Sequence, residues 1–164
     1  MSKRNLCKFG LVLTAVLLLN ACGFRLQGTG SLPEGVADVY VQTNDRFTYF
    51  YRSLRDELEL RGATLAAGPE SADMVLRVIE DSRGQRVSAV SIRNTPLEFE
   101  VFYTVEYAVQ VGEQQVLEPT RIVTKNRYEY DETLVLGKEE ERDMLASAQA
   151  KDIARQVMMQ LSAL

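Results

Sequence analysis

The 164-residue sequence contains no histidine and two cysteines, Cys7 and Cys22. Without imidazole, Ser-His-Asp and Cys-His catalysis are excluded, and so are most zinc sites. Carboxylates are plentiful, but no spacing pairs two of them for general acid and base work. No catalytic residue, metal ligand or cofactor-binding residue is therefore assigned, and the chain reads as non-enzymatic. The rival enzyme reading would need two carboxylates converging in one pocket. What remains is the Cys22 thiol, which can carry a covalent group, and the cations. Arg121, Lys125 and Arg127 share one strand face with Glu129. Such a strip lines an anion path, faces a polar wall, or is the solvated face of an edge strand.

The surroundings of Cys22 give its chemistry a context. Lys3, Arg4 and Lys8 precede an uncharged, mostly apolar run from Phe9 to Leu19, the charge and hydropathy pattern of a secretion signal. As a helix that run would reach about 16 Å, too short for a hydrocarbon core of about 30 Å. Leu19-Asn20-Ala21-Cys22 resembles the lipobox of bacterial lipoproteins. Residues 1–21 are thus expected to be a leader, with lipid attached to Cys22. Gly23, rather than Asp, follows the cysteine, which by resemblance to lipoprotein sorting implies the outer membrane. Each buried CH₂ of an anchor contributes about 0.8 kcal/mol. Cys7 leaves with the leader and the Cys22 sulfur is consumed, so the mature chain must be stabilised by a packed core alone. Loss of Lys3, Arg4 and Lys8 makes the formal charge, −4 for the whole chain, three units more negative. So acidic a chain is a poor binder of nucleic acid.

The elements follow from hydropathy period and turn chemistry. Glycines between Gly23 and Gly35 predict a lipidated tether over 22–35, and a single domain follows over 36–164. Val36 to Gln42 reads as a strand. Phe47, Phe50, Tyr51, Leu54 and Leu58 fall on one face of a helix that stops at Gly62, with Thr43, Asn44 and Asp45 as turn and capping types. Thr64 to Ala66 adds a short extended piece. Asp73 to Asp81 reads as a strand, Ser82-Arg83-Gly84 as a turn, and Gln85 to Arg93 as the returning strand, whose alternation slips between 89 and 90. After a turn at Asn94-Thr95-Pro96 comes the clearest signal: from 99 to 111 every odd position is apolar or aromatic, predicting a long strand with one buried face. A last extended stretch runs to Tyr130, interrupted by Pro119. Ala146, Ala150, Ile153, Ala154, Val157, Leu161 and Leu164 line a terminal helix introduced by Lys138 to Asp143. The expected architecture is α/β in the sense of an α+β sandwich: two helices on one face of a four- to five-stranded mixed, mostly antiparallel sheet.

An ordered set of motifs resembles the LPS-assembly lipoprotein LptE family. It comprises Cys22-Gly23-Phe24-Arg25-Leu26, Leu54-Arg55-Asp56-Glu57-Leu58 with Gly62, Ile92-Arg93-Asn94, Glu98-Phe99, Thr104-Val105 and Leu136-Gly137-Lys138. The resemblance implies a non-catalytic plug and assembly partner inside an LptD-type outer-membrane β-barrel, helping to deliver lipopolysaccharide to the cell surface and binding it directly. It also implies a location on the periplasmic side of the outer membrane and in the barrel lumen. The positions matching the family's lipopolysaccharide-binding cations are Arg93 and Lys138. Arg93 is read at a strand end beside a turn, within reach of a ligand. Lys138 is read at a helix start, where positive charge opposes the macrodipole. The alternative is that both are ordinary solvated surface cations. A different lipoprotein, such as an accessory binding subunit of a lipid transporter, is the rival function, because small sandwiches host many jobs.

Overall fold

The computed structural model describes residues 32–164. The leader 1–21, Cys22 and most of the tether lie outside the described residues. The elements are β1 (Asp38–Gln42), α1 (Tyr49–Leu60), β2 (Thr64–Leu65), a 3₁₀ turn (Pro69–Ser71), β3 (Met74–Val90), β4 (Pro96–Val111), β5 (Gln114–Glu129) and α2 (Val135–Leu161). One five-stranded sheet has the order β2-β1-β3-β4-β5. β1 pairs parallel with β2 and β3 through the α1 crossover, and β3-β4-β5 form an antiparallel meander. The expected α+β sandwich is thus the observed one.

α1 begins where the Thr48 side chain accepts from the Tyr51 N–H, satisfying one orphan donor of the first turn. It ends at Gly62, whose positive φ of 82° lets the Ala63 N–H return to the Leu58 carbonyl at 3.1 Å. Thr48, not Thr43 to Asp45, is the cap. Phe47 therefore precedes the helix and is exposed, contrary to its expected place on the buried face. Phe50, Leu54 and Leu58 do form that face. α2 turns Ala146, Ala150, Ile153, Ala154, Val157 and Leu161 to the sheet and to α1, and adds Gln149 and Met158. Leu164, expected on the same stripe, lies beyond the helix end and is half exposed. The odd residues Val101 to Val109 of β4 fill the centre of the core beneath both helices.

The largest departure from expectation is the turn at Ser82-Arg83-Gly84. β3 runs straight through it, with Ser82 opposite Thr104, Arg83 opposite Tyr103 and Gly84 opposite Phe102. In place of the expected two strands and a turn there is one strand of 17 residues. The reason is steric. A methyl group on Gly84 would collide with the Phe102 ring, so this glycine allows a close approach across two strands and reverses nothing. The slip near residue 89 is real and falls at register shifts between Val87, Ala89 and Val90. The Pro119 interruption is absorbed on the edge strand β5, where the pairing skips between Tyr107–Thr120 and Val109–Leu117.

Candidate functional site

The β3–β4 turn is built around one hydroxyl. Ser91 Oγ accepts from the N–H groups of Arg93 and Thr95, each at 3.2 Å, and shares a hydrogen bond with Thr95 Oγ1 at 2.6 Å. The Ser91 N–H donates to the Thr95 carbonyl at 2.8 Å, and Asn94 takes φ 58° to close the loop. Asparagine tolerates that left-handed conformation better than most residues. Arg93 thus sits on the tip of a fixed turn, exposed and with no ion-pair partner among the described residues.

Lys138 comes from the other side of the same sheet end. α2 starts at Val135, so Lys138 is its fourth residue, and its N–H makes a first-turn bond to the Leu134 carbonyl at 2.9 Å. Its side chain is mostly covered. Nζ donates to Glu141 Oε2 at 2.8 Å and lies 5.9 Å from the Tyr128 ring centroid. The hydrogen bond to Glu141 raises the ammonium pKa above its ordinary value, so the group stays charged. The preceding loop is fixed by Asp131, whose Oδ1 accepts from the Thr133 N–H at 2.8 Å and hydroxyl at 2.7 Å, which holds its carboxyl below the usual range. A main-chain bond from Tyr130 N–H to the Leu97 carbonyl, 2.9 Å long, ties this loop to β4.

Between these segments lies an open groove of about 780 Å³. Thr95 and Pro96 of the Arg93 turn line one side, and Lys138 and Arg142 of α2 line the other. Its aromatic wall is Phe99, stacked on Tyr128 at 5.9 Å and edge-on to Tyr130 at 5.1 Å. The structure therefore gathers Lys138 and the turn carrying Arg93 at one end of the sheet, although Arg93 itself does not line the groove. Sequence reading missed Arg142 and this aromatic wall. The signal available for Arg142 was its spacing of four residues from Lys138, which places both on one helix face.

The strip Arg121, Lys125 and Arg127 lies on the sheet face opposite the helices, on the edge strand β5. Its arginines are not vacant. Arg127 meets Glu98 at 3.7 Å and Glu100 at 3.6 Å, while Arg121 meets Glu106 at 3.3 Å and also pairs with Glu80. Arg86 approaches Glu100 from the other neighbour at 2.6 Å. Burial works against ionisation of Glu100, but Arg86, Lys125 and Arg127 together hold the carboxylate below its usual range. Glu100 of β4 is thus flanked by arginines of both neighbouring strands, and Glu98 and Glu106 by arginines of β5, which makes a cross-strand ion-pair ladder.

A helix-backed mixed sheet with one open, cation-bearing end defines an α+β sandwich whose chemistry is concentrated in turns. The chain belongs to the LptE lipopolysaccharide-assembly family, whose model matches residues 36–161. The resemblance carried by the ordered motifs is thereby upheld. Among curated relatives, the LPS-assembly lipoprotein LptE of Yersinia enterocolitica is 24% identical over 148 residues, covering 90% of this chain and 71% of that protein. Two solved structures share the fold. The lipoprotein B of Nitrosomonas europaea superposes with a TM-score of 0.71 at 22% identity, covering 86% of this chain and 91% of that one. The rare lipoprotein B of Shewanella oneidensis gives 0.67 at 21% identity, covering 77% and 94%.

Proposed function

We propose that this chain is a non-catalytic outer-membrane lipoprotein, anchored through Cys22, that forms the plug and assembly partner of an LptD-type β-barrel. In this reading it helps deliver lipopolysaccharide to the cell surface and binds it through Arg93 and Lys138. The observation that carries the proposal is the sheet end just described. Arg93, one of several cations with no ion pair among the described residues, is the one set on a hydrogen-bonded turn beside the groove that contains Lys138. A guanidinium and an ammonium so placed can donate charge-assisted hydrogen bonds to lipid A phosphates. Lys138 would exchange Glu141, itself about half exposed, for the stronger anion. The uncovered sheet face, polar and laced with ion pairs, suits the hydrated interior of a barrel.

Mild-detergent capture of the tagged full-length protein from its native outer membrane, with mass identification of what accompanies it, tests the partner. A stoichiometric large β-barrel is the expected result. Recovery of an inner-membrane transporter instead would replace the plug reading with that of a transporter's accessory lipoprotein.

A further inference from the structure

We infer that this end of the sheet grips hydrocarbon as well as charge: Ile92 and Leu136, backed by Val90, Leu97, Leu134 and Val135, seat acyl chains of the phosphorylated glycolipid. The inference rests on the proposed lipopolysaccharide binding at Arg93 and Lys138, and it names the part of the lipid taken by the rest of that end.

Ile92 is 104% exposed and Leu136 is 82% exposed. A single exposed aliphatic side chain is ordinary in a soluble protein, whereas a cluster marks a contact surface. Each of these two lies in a run of exposed aliphatic side chains. Val90 and Leu97 flank the Ile92 turn, Leu134 and Val135 precede Leu136, and all four are themselves exposed. The two segments meet, because Leu97, Leu134 and Val135 line the same groove as Lys138 and the Tyr130–Leu97 main-chain bond joins them, while Val90, Ile92 and Leu136 stand on those segments outside the groove lining. Both are rigid. The Ser91 hydroxyl network fixes one and the Asp131–Thr133 bonds fix the other, so the aliphatic groups are presented by structure.

Charge alone does not hold a polyanion here. Glu129, Asp131, Glu132 and Glu139 line the groove against Lys138 and Arg142. The chain as a whole carries a formal −4, so long-range attraction for an anionic lipid is also lacking. Affinity must then come from short-range terms, and removing aliphatic surface from water is the one this end is equipped to supply. An arginine with no ion pair among the described residues, next in sequence to a fully exposed isoleucine, matches a ligand in which phosphate lies next to alkyl chains.

The test uses the full-length chain, with photoreactive benzoylphenylalanine replacing Ile92 or Leu136, irradiated in outer-membrane-bearing cells. Its denatured adducts are then hydrolysed in base to free fatty acids from the glycan. A lipopolysaccharide adduct that retains fatty-acid mass on the peptide is expected at both positions, and none at Val123 on the opposite sheet face. In parallel, Ile92→Ser with Leu136→Ser should lower the lipopolysaccharide retained by the purified protein about tenfold or more, since each decade is about 1.4 kcal/mol and burying one aliphatic side chain exceeds that. Adducts to protein alone would overturn the inference and make the cluster a protein interface. Undiminished lipopolysaccharide binding by the double serine variant, together with loss of binding in Arg93→Glu with Lys138→Glu, would overturn it while leaving the cationic reading intact. No lipopolysaccharide bound by the unsubstituted chain would remove both.

Discussion

The two ends of the long sheet follow opposite rules. At the end where β1, α1 and the C-terminal half of α2 converge, Val39, Phe50, Leu54, Leu58, Met74, Leu76, Val157 and Leu161 are all fully buried. Polar groups there are tied to the packing, as where Tyr107, its hydroxyl pushed up to about 12 by burial, donates to Gln160. At the other end, where the β3–β4 turn meets the start of α2, hydrogen bonds hold the turns rigid while large aliphatic and cationic side chains face outward. The first end accounts for the stability of a domain without disulfides. The second leaves large apolar side chains exposed, as the proposed lipid contact requires.

That contrast predicts an ordered set of effects. Phe50→Ala, at the closed end, should cost about 3–5 kcal/mol in denaturant unfolding, whereas Ile92→Ser should stay within about 0.5 kcal/mol of the parent. A large loss from Ile92→Ser would erase the distinction between the ends. Gly84→Ala, midway along β3, should cost about 1–3 kcal/mol through its collision with Phe102, and Phe102→Ala in the same chain should recover part of it. No recovery would mean that Gly84 serves the backbone instead. Thr48→Ala should cost about 1 kcal/mol by uncapping α1. The smallest effect is one of pH. Burial raises the Asp81 carboxyl above its ordinary 3.8, although hydrogen bonds from Thr48 and Tyr103 pull the other way. With the folded value above the unfolded one, the favourable contribution is complete at low pH and is lost as pH rises through the folded value. Asp81→Asn should therefore match the parent near about pH 3 and gain on it by about pH 6 in thermal melts. A gain confined to acid pH would contradict this sign.

How much of this the sequence discloses depends on the range of the interactions involved. The strict alternation of β4, the apolar stripe of α2 and the stop at Gly62 are local patterns, and each maps onto the structure. Ser82-Arg83-Gly84 misleads because glycine has two uses. It turns a chain, and it admits a ring from the neighbouring strand, and only the position of Phe102 decides between them. Phe47 has helical spacing from Phe50 and Leu54, but capping by Thr48 leaves it outside the helix. Arg93 and Lys138 stand out through motif resemblance, whereas the groove joining their segments depends on the start of β4, the loop after β5 and a helix start that are distant in sequence. The ion-pair ladder of the open face is likewise invisible until β4 is known to lie between β3 and β5.

In the proposed function the open end binds lipopolysaccharide through Arg93 and Lys138 without contributing to the stability of the domain. The direct measurement is lipopolysaccharide retained by the full-length lipoprotein carrying Arg93→Glu and Lys138→Glu, with its barrel association and melting temperature recorded on the same preparation. The expected result is a large loss of lipopolysaccharide, a barrel that still co-purifies, and a melting temperature close to that of the parent. Undiminished lipopolysaccharide on a stably folded double variant would contradict it.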